Sequence, residues 1–190
     1  MSGNLRRLAL MISATCALAL FLWYSSSWMH AALVPYIVTV NFALMGWAWF
    51  VFDNYKPLLT WPWFDSFEIE KDGQIYNWVG LAWFRSFQRF IGWNKLLGVP
   101  PLRVNVESLK QMEYGTRFGE VTHWACLTAL IPIANWFIVS AAGTGLIYWI
   151  GSAIVFHAYP IMLQRNQRPR FRHLLAGFEM RDMRQQVNGG

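Results

Sequence analysis

The sequence predicts an all-α membrane protein. It has about four transmembrane helices, a cytoplasmic or interfacial amphipathic segment between the second and third, and a C-terminal amphipathic helix. Three observations carry this. Only 14% of the 190 residues are charged, while 55% are hydrophobic. Soluble domains carry about 25% charged residues. Second, no Asp, Glu, Lys or Arg occurs from Leu8 to Phe52 or from Val121 to Leu163. Each of these runs is long enough for two spans of roughly 20 residues. Third, all the basic residues lie outside the two runs: Arg6 and Arg7 at the start, eight Lys/Arg in 53–120, and six after Leu163. The positive-inside rule then puts both termini and the middle segment in the cytoplasm.

The chain is read as one integral-membrane domain over 1–190. The spans fall at about 8–24, 33–52, 121–140 and 146–163, with an interfacial segment at 53–120 and a basic amphipathic tail at 164–190. The links Ser25–His30 and Ser140–Gly145 are polar or small and carry no charge. The first span is not read as a signal peptide, because no small-x-small cleavage site follows it and a second span comes at once. Cys16 and Cys126 each sit inside a span. With no CxxC, neither a disulfide framework nor a zinc site is expected. The chain shows no internal repeat.

Within 53–120, Leu58–Phe64 is aromatic and Pro-broken, as at a membrane interface. Phe67–Tyr76 alternates polar and apolar residues around Asp72-Gly73, which predicts a hairpin-like turn. Trp78–Gly98 places Trp83, Phe87, Phe90 and Ile91 at i, i+4, i+7 and i+8, with Arg85 and Arg89 on another face. That pattern predicts a helix lying in the headgroup plane. Pro100 and Pro101 then break it.

Two groups of residues carry candidate chemistry. In Met112–Trp124, helical spacing puts Glu113, Arg117, Glu120 and Trp124 on one stripe, and Glu120 can touch His123 at i, i+3. A carboxylate beside an imidazole fixes its tautomer and makes it a general base. The same spacing also fits surface ion pairs with an interfacial histidine. The second group is Gln164, Arg165, Asn166, Arg168 and Arg170. Pro160 precedes it and would free the carbonyl of Phe156. Pro169 suits the first turn of a new helix, with Phe171, Leu174, Leu175 and Phe178 on one face. Arginine forks bind phosphate or carboxylate bidentately, so Arg165 and Arg168 are the stronger binding candidates. Arg172, Arg181 and Arg184 read as headgroup anchors.

At these residues the sequence resembles the bacterial membrane acyltransferases of the glycosyl-4,4'-diaponeurosporenoate acyltransferase family. The resemblance runs over roughly Phe67–Leu175. It rests on Phe67, Glu68, Gly73 and Tyr76, on the aromatic-basic helix after them, and on the block Arg117, Glu120, His123 and Trp124. It also rests on the block Tyr159, Pro160, Ile161, Gln164, Arg165, Arg168, Pro169 and Arg170. The resemblance implies transfer of a fatty acyl group from acyl-CoA or acyl-carrier protein to a sugar hydroxyl of a glycosylated carotenoid or related glycolipid. His123, held by Glu120, would be the base. Arg117, His157, Gln164, Arg165, Asn166, Arg168 and Arg170 would contact substrate, with Arg165 or Arg168 on donor phosphate or the oxyanion. His157 stays open between a substrate contact and the filling of a polar gap. No metal and no cofactor beyond the donor is expected. The expected partners are membrane lipids, the acyl donor and a lipid-linked hydroxyl acceptor, not nucleic acid. The expected location is the bacterial plasma (inner) membrane.

Other classes fit less of the sequence. A non-catalytic lipid-binding or assembly subunit matches the scarcity of nucleophiles and metal ligands. A methyltransferase would want a Gly-rich nucleotide loop, and a diiron desaturase would want clustered His-x-x-His pairs. The chain has neither.

Overall fold

The computed structural model describes residues 3–28, 32–55, 59–65, 67–70, 73–96, 105–140 and 145–188. Among them there is helix and turn but no strand. The helices are α1 Gly3–Ser25, α2 Leu33–Tyr55, α3 Ile75–Trp78, α4 Leu81–Phe90, α5 Trp93–Leu96, α6 Val106–Ser140, α7 Leu146–Ala153 and α8 Tyr159–Asn188. A π-helical turn, Ile154–Ala158, joins α7 to α8. Among the described residues, three helical stretches are long and apolar enough to cross a membrane: Gly3–Trp28, Leu33–Asn54 and Leu146–Arg181. The remaining expected span, 121–140, lies within α6, where the side chains of 137–140 are outside the described set. The link expected at 25–30 follows the end of α1 at Ser25 as a 3-10 turn, Ser26–Trp28, while its last two residues, most of 140–145 and most of the break expected at 98–105 lie outside the described residues.

The chain divides into two compact units. The first is Met1–Leu58 with Val121–Pro160, and the second is Leu59–Glu120 with Ile161–Gly190. The first unit is built on α2. Tyr36, Ile37, Val40, Leu44 and Ala48 form its buried stripe and pack with Cys126 and Leu130 of α6 and Trp149 of α7. Helical periodicity places these α2 positions on one face. Helix α1 adds Leu18 and Leu22 to the edge of this core, and Thr15 accepts a hydrogen bond from the Trp47 indole at 3.1 Å. Much of the rest of α1 is apolar and exposed (Leu8, Ile12, Leu20 and Trp23 among others), which suits a helix that faces lipid.

The second unit has a smaller core that includes Leu59, Phe64, Leu81, Phe84, Leu109 and Ile161. Helix α6 starts in this unit, where the Asn105 side chain accepts from the Ser108 backbone N–H at 2.8 Å, an N-cap that satisfies one orphan donor. Two local expectations are corrected. Phe67–Tyr76 is not a hairpin: Glu68–Glu70 is a 3-10 turn and α3 begins at Ile75. The glycine signal was real, since Gly73 has φ +85°, but it turns one short helical piece into another. Trp78–Gly98 is likewise not one helix. Gly80 and Gly92, with φ 87° and 67°, break it into α3, α4 and α5. Trp83, Phe87, Phe90 and Ile91 of the expected apolar face are exposed on this unit, while Leu81 and Phe84 enter its core.

Pro169 also departs from expectation. It lies inside α8, which continues from Tyr159 to Asn188. An interior proline costs about 3 kcal/mol. Here the side chains of Arg165, Asn166 and Arg168 are all buried and bonded, and that anchoring offsets the lost backbone hydrogen bond.

Candidate functional site

Among the described residues, each unit holds a buried polar cluster. The larger lies in the second unit and centres on Glu120, which is fully buried. Its Oε1 accepts from Arg165 Nη1 at 2.7 Å, and its Oε2 accepts from Arg168 Nη2 at 2.6 Å. Arg165 and Arg168 are 6% and 2% exposed, so these are desolvated charges. Each guanidinium completes its set elsewhere. Arg165 donates through Nε to Glu70 at 2.8 Å and to the Tyr76 hydroxyl at 3.2 Å. It also donates to the backbone carbonyls of Trp63 at 3.0 Å and Asp65 at 3.3 Å. Arg168 donates to Thr116 Oγ1 at 3.0 Å and to the Phe64 carbonyl at 2.5 Å. The two arginines of α8 thus hold the 63–65 backbone against α6. Arg165 also lies over the Phe67 ring, with 5.0 Å from its Cζ to the centroid.

A second tier surrounds this centre. Glu113 takes Arg117 Nη2 at 2.6 Å and Arg172 Nε at 3.0 Å. Arg117 also reaches the Leu59 carbonyl, and Arg172 pairs with Asp65 at 2.8 Å. Asn166 donates to the Gly73 carbonyl at 2.6 Å and accepts from Arg85. A Cβ on Gly73 would stand 2.7 Å from the Asn166 Cα, so the close approach needs glycine as much as the positive φ does. Gln164 lies against Gly119, where an added Cβ would meet its Nε2 at 2.8 Å. Arg170 is exposed, and its charge, after burial, lowers the pKa of Arg85.

Tyr76 carries a measurable signature of this network. Burial first, then the Glu70 carboxylate, pushes its hydroxyl up to about 12. A phenol whose folded pKa is raised stabilises the fold fully below the unfolded value near 10, and that contribution is lost as pH rises through the folded value. Alkaline unfolding of the wild type should therefore steepen between pH 10 and about 12. Tyr76→Phe should lose that component when the unfolding midpoint is followed against pH.

The smaller cluster lies in the first unit. His123 Nδ1 and His157 Nδ1 are 3.2 Å apart. His157 is fully buried, and its Nε2 meets Asn41 Oδ1 at 2.9 Å. Asn41, also fully buried, donates through Nδ2 to the Ile37 carbonyl at 2.8 Å and to Ser152 Oγ at 3.2 Å. Ser152 Oγ in turn donates to the Trp149 carbonyl at 2.9 Å. The π-turn makes this possible. Ser152 and His157 are five apart, which an α-helix would rotate by about 140°, whereas i→i+5 bonding stacks them on one side. The Tyr159 N–H reaches back to the Ile154 carbonyl in that way. Pro160, which has no N–H to give, follows directly.

The sequence-predicted residues thus fall into two groups. Arg117, Glu120, Gln164, Arg165, Asn166, Arg168 and Arg170 belong to the second unit, and His123 and His157 to the first. The expected Glu120–His123 pair is replaced by partners within each unit: arginines for the carboxylate and His157 for the imidazole. A charge-assisted hydrogen bond is about twice as strong as a neutral one, so two guanidiniums outcompete an imidazole for one carboxylate. Sequence reasoning missed Asn41, Ser152, Glu70 and Thr116. For Asn41 a signal existed: a lone amide inside an otherwise apolar span needs a partner.

The family model for glycosyl-4,4'-diaponeurosporenoate acyltransferase matches residues 60–177, which include the whole arginine–carboxylate network and both histidines. No curated protein and no solved structure matches the chain. The matched stretch covers more than half of the chain, and the chain therefore belongs to the glycosyl-4,4'-diaponeurosporenoate acyltransferase family.

Proposed function

We propose that this protein is a multi-pass acyltransferase of the bacterial plasma membrane. It moves a fatty acyl group from an acyl thioester, either acyl-CoA or acyl-carrier protein, to a hydroxyl of a lipid-linked acceptor such as a glycosylated carotenoid. The observation that carries this reading is the family match over residues 60–177, with an imidazole pair inside it. In the proposed topology four spans cross the membrane and both termini face the cytoplasm, because every Lys and Arg lies outside the apolar runs. An acyl donor made in the cytoplasm then meets the basic face directly.

His123 is the proposed base. Its Nε2 takes the proton of the acceptor hydroxyl as the oxygen attacks the thioester carbonyl. A C–O bond forms, the C–S bond breaks, and the departing thiolate recovers the proton from the imidazolium. In this reading Arg165, Arg168 and Asn166, with Glu120 between the two arginines, anchor Trp63–Asp65, Glu70 and Gly73, since their bonding groups are engaged there. Arg170, exposed and with no carboxylate partner among the described residues, is the proposed contact for donor phosphate, and Gln164 and Arg117 line the same unit. The test is turnover by purified protein in liposomes, supplied with acyl-CoA or acyl-carrier protein and a glycosylated carotenoid. Free thiol and acylated lipid should appear in equal amounts. An acceptor that co-purifies with the protein but is never acylated would favour a lipid-binding subunit instead.

A further inference from the structure

We propose that Asn41 fixes the protons of the His157–His123 pair so that His123 presents a bare Nε2. The chain of constraints begins at a group that cannot donate. The Ile37 carbonyl, 2.8 Å from one end of the Asn41 amide, requires that end to be the NH₂. Ser152 agrees, because its own proton goes to the Trp149 carbonyl and its oxygen must accept from Asn41. Oδ1 therefore faces His157 Nε2 at 2.9 Å. An amide oxygen only accepts, so the proton sits on His157 Nε2.

Neutral His157 then has a bare Nδ1. A doubly protonated His157 is disfavoured. The ring is fully buried, and its contacts are an amide oxygen and another imidazole, with no carboxylate among them. The 3.2 Å contact between the two Nδ1 atoms needs one proton, and it must come from His123. Neutral His123 thus carries its proton on Nδ1. Its Nε2 has a free lone pair and no hydrogen-bond partner among the described residues. An acceptor hydroxyl can give its proton there without any prior shift of tautomer.

Asn41 lies on α2, outside the matched residues 60–177. It touches no reacting atom, so it is a positioning residue acting through His157. The rate consequence rests on the acyl-transfer reading, but the proton positions do not. Only two groups, an amide and an imidazole, are needed to set the third, and the π-turn brings the last of them into line.

The experiment is nitrogen NMR of isotope-labelled histidines in the full-length protein in detergent micelles, at mildly alkaline pH, with signals assigned by replacing each of the four histidines in turn. His123 should show a protonated Nδ1 and an unprotonated Nε2, and His157 the reverse. Asn41→Leu should scramble both tautomers and lower kcat at least 10-fold at unchanged KM. A wild-type spectrum with the proton on His123 Nε2 overturns the proposal, as does Asn41→Leu with an unaltered spectrum. If Asn41→Leu fails to fold, the wild-type spectrum alone decides. The expected spectrum in a protein that transfers no acyl group sinks the functional reading and leaves the proton arrangement standing.

Discussion

His123→Ala should lower acyl transfer by about 10²–10⁴-fold, the usual worth of a positioned general base. The protein should still accumulate in membranes. The histidine is only part-buried, and its hydrogen bond among the described residues is the one to His157. Losing that bond leaves one neutral acceptor without its donor, which costs roughly 1–3 kcal/mol. The measurement is turnover per milligram of purified protein beside membrane yield. A variant that keeps full turnover would remove His123 from the chemistry.

Glu120→Gln should behave in the opposite way, failing on stability before it fails on turnover. The carboxylate is fully buried and holds a guanidinium on each oxygen. Gln offers one acceptor oxygen and no charge for two guanidiniums: Arg165 would retain Glu70, but Arg168 would have no carboxylate partner among the described residues. Removing one partner from a buried ion pair costs about 3–5 kcal/mol, because the remaining charge stays desolvated. The expected result is low membrane yield and a lowered unfolding midpoint in detergent. Normal yield with lost turnover would instead make Glu120 a partner of the base, as its spacing from His123 suggested.

These two variants separate what the sequence made legible from what it did not. The charge-free runs Leu8–Phe52 and Val121–Leu163 cover most of the first unit, because charge is excluded wherever a helix faces lipid. The arginines of α8 were legible as special, since charge beside an apolar helix end needs a reason. Their role was not legible. Helical spacing says which side chains can touch, while the winner is set by competitors from distant parts of the chain. Glu120 had His123 three residues away, and it took Arg165 and Arg168, 45 and 48 residues on. Asn41 and His157 are 116 residues apart, so their pairing appears only once α2 packs beside α7 and the π-turn. Local alternation around Gly73 misled for a related reason. It registered a turn, but not that the pieces on either side would be pinned by Arg165 and Asn166 as short helices.

The proposed reaction is acylation of a membrane-bound hydroxyl through His123. It is tested most directly by lipid profiling of a strain lacking the gene, complemented with either the wild type or His123→Ala. An acylated glycolipid should vanish on deletion while its unacylated precursor accumulates. The wild type should restore it, and His123→Ala, expressed at equal level, should not. A profile unchanged by deletion, or restored equally by both forms, would contradict the account.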